Sequence, residues 1–120
     1  MGTWGSENFE NDQALDFLNK FIENILADIT DGMVNLEKRQ SISYADEYKL
    51  IPLFDIYITI CIKYDAIPSI DLDTLKGWQA QYLTFFDKDT TMYPETFKQE
   101  RREAIVNTFE RLKSYILDWI

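Results

Sequence analysis

Histidine is absent from this 120-residue chain, cysteine occurs once and glycine only four times. Without histidine, the usual base beside a serine or cysteine nucleophile is missing, and zinc loses its commonest nitrogen ligand. One cysteine cannot close a disulfide within the chain, which suits a reducing compartment. Cys61 lies in an apolar run, where a free cysteine reads as a small buried hydrophobe. The glycines stand apart at 2, 5, 32 and 77, so no glycine-rich loop is available to cradle a phosphate. Gly2 with Ser6 fits a myristoylation pattern, but both read better as parts of a structural lead. Basic residues are scarce as well, twelve against twenty-one acids. The longest apolar run, Leu50 to Tyr64, is broken by Pro52, Asp55 and Lys63. It is shorter than the roughly 20 residues a bilayer span requires. No basic stretch followed by an apolar one opens the chain, so a cytoplasmic, soluble protein is expected.

What is present is enough for one core. Residues 1–120 read as a single helical domain, with 46% hydrophobic and 15% aromatic residues. The net charge of −9 repels nucleic acid and anionic membranes and attracts basic proteins. Its distribution is uneven. Residues 1–35 hold seven acids against Lys20 alone, whereas residues 91–120 hold five acids and five bases.

The periodicity predicts an all-α fold, a bundle of four to five helices with an N-terminal aromatic lead, Trp4 and Phe9, packed on it. Asn11 or Asp12 is expected to cap a first helix whose core stripe is Leu15, Leu18, Ile22, Ile25 and Ile29. Ala14, Phe21 and Leu26 widen that stripe. Asp31-Gly32 reads as an interruption, with a short second helix over 33–40. Isoleucines at every second position over 56–62 give a strand-like pattern. A lone strand would have no partner, however, and Leu50, Phe54, Tyr57, Cys61 and Tyr64 keep a helical register, so a central buried helix is expected. Asp71 or Asp73 caps the next helix, whose apolar face takes in Leu75, Trp78, Tyr82 and Phe85 and which ends near Asp87. Pro94 suits the first turn of a last helix with Phe97, Ala104, Ile105, Phe109, Leu112, Ile116 and Trp119 in its buried stripe. Arg101-Arg102, flanked by glutamates, reads as a solvated face.

The opening, Gly2-x-Trp4-Gly5-x3-Phe9-x-Asn11-Asp12-x-Ala14-x-Asp16-Phe17, resembles that of a widespread bacterial family of small helical proteins sharing a domain of unknown function. The likeness extends more weakly to Tyr44-Ala45-Asp46-Glu47, where relatives begin an acidic helix. It implies a helical fold and favours helix for residues 46–64, but it implies no activity.

Carboxylates are the one chemical resource in quantity. Asp71-x-Asp73 and Asp87-x-Asp89 lack the glycine and glutamate of a calcium loop and read as caps and turns. No metal site, cofactor or catalytic residue is expected. Asp12, Asp16, Asn19 and Glu23 fall at steps of four, three and four, along one side of the first helix. Together with Asp28 and Asp31 they are the candidate partner-binding residues. The reading favoured on charge and size is a non-catalytic immunity protein that blocks the cleft of a basic bacterial toxin, a nuclease by preference. The alternative is a general interaction or structural subunit with apolar contacts; an enzyme with paired carboxylates ranks below both, and the oligomeric state is left open.

Overall fold

The computed structural model describes Thr3 and residues 5–120. Four α-helices stand among the described residues: α1 (Asp12–Arg39), α2 (Ile51–Tyr64), α3 (Leu72–Lys88) and α4 (Glu95–Asp118). A single π-helical turn, Asp46–Leu50, leads directly into α2. No β-strand is found among the described residues, and one isolated antiparallel bridge joins Thr3 to Asn11. The all-α expectation holds, and the isoleucine alternation over 56–62 is helical.

Local chemistry explains the boundaries. Asn11 caps α1 by accepting from the Ala14 amide at 2.8 Å, and Asp71 caps α3 by accepting from the Thr74 amide at 2.7 Å. Pro94 stands just before α4, where its missing N–H removes no helical bond. Asp89 accepts from the amides of Thr91 and Met92 and closes the turn between α3 and α4. Gln40 and Asp65 end α1 and α2 in the left-handed conformation, with φ of 55° and 54°. Beyond Asp65, the Tyr115 hydroxyl holds the chain by bonding to the carbonyls of Cys61 and Ala66.

The break expected at Asp31-Gly32 does not occur: α1 runs unbroken for 28 residues. Gly32 serves packing instead. A β-carbon there would lie 2.6 Å from a Leu50 methyl, so the absent side chain lets the π-helical turn approach α1 closely.

The core joins Leu18, Ile22, Ile25, Ile29, Met33 and Leu36 of α1 to Phe54, Tyr57, Ile58 and Cys61 of α2. Leu75, Tyr82 and Phe86 of α3 and Ile105, Phe109, Leu112 and Ile116 of α4 complete it. Central α2 packs on both α1 and α4, while α3 packs on α4 and less extensively on α1. Cys61 is fully buried, as its apolar neighbours implied. Phe21, Phe97, Ala104 and Trp119, expected in buried stripes, are exposed because those helices bury a narrower arc. Phe9 of the lead is half-buried, edge-on to Tyr64 at 4.8 Å. Trp4 lies outside the described residues.

Candidate functional site

Two groups of acids occupy opposite environments. The first is the predicted one. Asp12, Asp16, Asn19 and Glu23 are all exposed along one edge of α1. Asp28 and Asp31 do not join them. At about 100° per residue, Asp28 lies more than a third of a turn from that edge. Asp28 and Asp31 border a different recess of about 300 Å³, shared with Gly32, Asn35, Arg39, Asp46 and Lys49. Among the described residues, Asp16, Asn19, Glu23, Asp28 and Asp31 make no side-chain hydrogen bond or ion pair. Next to Asp16, the Phe17 ring is 67% exposed and lies 6.3 Å from the Phe21 ring, itself 47% exposed. The outer surface of α1 therefore has an acidic edge and an aromatic edge.

The second group, Asp46 and Glu47, was not picked out as a site in the sequence. Both are buried in the π-helical turn. Asp46 accepts from Arg39 at 2.5 Å and from the Ser43 amide at 2.8 Å. The Glu47 carboxylate, wholly inaccessible, accepts from Arg101 Nε at 2.7 Å, from the Tyr93 hydroxyl at 3.0 Å and from the Tyr82 hydroxyl. The two consecutive acids point inward toward different partners, Asp46 toward Arg39 of α1 and Glu47 toward Tyr82 of α3 and Arg101 of α4. Arg101 is thus no solvated surface charge, contrary to its flanking glutamates. Its neighbour Arg102 does stay outside, on Asp87 at 2.8 Å.

The electrostatics follow from burial. Burial first, then the Glu47 charge, pushes the Tyr93 phenol up to about 12. Burial and the bond to Glu47 push Tyr82 further above the ordinary phenol range. Both tyrosines therefore remain donors to Glu47 through neutral pH. Burial of the Arg101 guanidinium opposes its charge, but Glu47 outweighs that and holds it above its usual range. Every oxygen of Glu47 is partnered, and among the described residues no buried side-chain polar atom lacks a bond. This is a structural tie among the π-turn, α3 and α4. Among the described residues, no cluster of three or more acids and cysteine is placed to hold a metal ion. No described helix is long and apolar enough to cross a membrane.

The family model described as "Domain of unknown function (DUF4259)" matches residues 2–115, nearly the whole chain. The chain belongs to the DUF4259 family. The match takes in all four helices, the buried Asp46–Glu47 pair and the acidic edge of α1, although α4 ends three residues beyond it. No curated protein and no solved structure matches the chain.

Proposed function

We propose that this DUF4259 protein is a non-catalytic binding module whose α1 surface docks on a basic protein, and that the partner is a bacterial toxin domain, a nuclease by preference, whose cleft it occludes. The observation that carries this reading is the outer surface of α1, which has Asp16 and Glu23, acids without intramolecular partners, along one edge and the exposed Phe17 and Phe21 along the other. A surface of that kind has both parts of a protein interface. Phe17 and Phe21 supply rigid apolar anchors, and Asp16 and Glu23 supply long-range attraction toward cationic grooves that bind phosphate. The charge pattern supports it further, because residues 1–35 concentrate two-thirds of the chain's excess negative charge. The small size and the acidity support toxin neutralisation within this reading.

The test is kinetic. The partner is identified by cross-linking in the native cell and purified, and its association rate is followed across ionic strengths. Steering by such a surface contributes about 10–10³-fold at low salt and fades as the Debye length shrinks. Asp16→Lys with Glu23→Lys should slow association, whereas Phe17→Ala should speed dissociation. The partner's nuclease activity should disappear on binding. A rate indifferent to salt and unchanged in the lysine variant would reject the proposal.

A further inference from the structure

The single base among residues 1–35, Lys20, stands at the middle of the outer surface of α1. At about 100° per residue, its position is directly opposite the buried Leu18 and Ile22. It lies about 40° round the helix from Asp16 on one side and about 60° from Phe17 on the other. Along the axis it falls between Asp16 and Phe17 below and Phe21 and Glu23 above. The acidic edge and the aromatic edge therefore flank it.

An ion pair is available to Lys20 and is not made. Asp16 stands four residues before it and Glu23 three after, the spacings at which opposite charges meet on a helix. On α4, Lys113 takes such a partner, bonding to Glu110 at 3.0 Å. Lys20 is exposed and, among the described residues, makes no ion pair or side-chain hydrogen bond. A solvated ammonium costs nothing while the surface is free. On docking, the centre of a contact loses its water, and an ammonium left there without an acceptor is expensive. A partner that is cationic throughout would also set like charge against it. The acids alone would attract any polycation, whereas Lys20 discriminates among them by repulsion.

We infer, resting on the α1 docking proposed above, that Lys20 is the specificity-determining residue of this surface and that the partner's cationic cleft carries a carboxylate at its centre to receive it. Clefts that process phosphate esters supply such a group, since a carboxylate among their cations acts as general base or holds a metal ion. Lys20 pairs with that central acid, while Asp16 and Glu23 meet the cations around it.

Lys20→Met tests this, because it removes the charge and keeps the stem. As an exposed substitution it should leave the thermal melt nearly unchanged. Binding is measured to two ligands, the protein cross-linked through α1 and poly-lysine, which is cationic and has no side-chain carboxylate. Poly-lysine should bind the variant more tightly than the wild type, since a repelling charge is gone. The cross-linked partner should bind it at least about tenfold more weakly through faster dissociation, as loss of one member of an interfacial charge pair does. Lys20→Glu should weaken the partner further, and Lys20→Arg should retain most of the affinity. Changing the cleft carboxylate to its amide should abolish the difference between wild type and Lys20→Met. A partner that binds Lys20→Met as tightly as the wild type, or more tightly, overturns the inference and leaves α1 docking intact. So does a difference that survives the amide change. An association rate indifferent to salt and to Asp16→Lys with Glu23→Lys rejects the docking itself.

Discussion

Asp46 and Glu47 at the entry to α2, and Asp16 and Glu23 on α1, are the same two residue types in opposite surroundings. The first pair is buried and bonded to Arg39, Arg101, Tyr82 and Tyr93, whereas the second is exposed and bonded to nothing within the described residues. A buried carboxylate has lost its water and needs each of those donors, so its removal strands an arginine and two phenols. An exposed carboxylate keeps its water and contributes to the field around the molecule more than to the fold. Stability and the proposed recognition thus rest on the same chemistry in separate places, so each should be open to change without the other.

That division can be broken most decisively at Glu47. Glu47→Ala should destabilise by about 3–5 kcal/mol in urea titration, the range for opening a buried ion pair. Glu47→Gln, which keeps acceptor and donor atoms but no charge, should lose less. Equal, small losses from both would mean the network contributes little to the fold.

High pH attacks the fold through its buried phenols. Burial, followed by neighbouring Cys61, raises the Tyr57 hydroxyl to about 12, and Tyr93 is raised to a similar value. A folded-state value above the unfolded one favours the protonated form. Stability from these groups is therefore fully present below pH 10 and is lost as pH rises from about 10 toward 12. Denaturation midpoints at stepped pH, read with tyrosinate absorbance, should show the phenols ionising together with unfolding. Ionisation with the fold retained would contradict the burial argument.

Asp46→Ala should lose about 1–3 kcal/mol, since it leaves the Ser43 amide and Arg39 without their acceptor. Gln40→Gly should gain up to about 1 kcal/mol, because glycine adopts the left-handed cap of α1 without strain. Thermal melts resolve both signs. The smallest effect belongs to α1: Asp16→Lys with Glu23→Lys should shift stability by no more than about 0.5 kcal/mol per substitution, as exposed changes do. A larger loss would make the acidic edge part of the fold and weaken its assignment to recognition.

Much of this arrangement was legible in the residues. The stripe Leu18, Ile22, Ile25 and Ile29 marked the buried side of α1, and Asn11, Asp71 and Pro94 marked helix starts through caps and a missing donor. The acidic edge was legible too, as a spacing of four, three and four. Gly32 was misleading because glycine weakens a helix in isolation, and only the proximity of Leu50 explains its place there. Arg101 was misleading because its sequence neighbours are glutamates, while its actual partner lies 54 positions earlier. The one local signal for the buried pair was the resemblance at Tyr44-Ala45-Asp46-Glu47, which located a helix start without indicating which way its acids point.

The sequence by itself determined the helical class, most helix boundaries and the imbalance of charge, because these depend on nearest neighbours, periodicity and composition. Tertiary structure decided which acids are buried and which arginine serves the core. Those outcomes depend on the facing of distant helices: Glu47 is buried where Tyr82 of α3, Tyr93 and Arg101 of α4 converge on it.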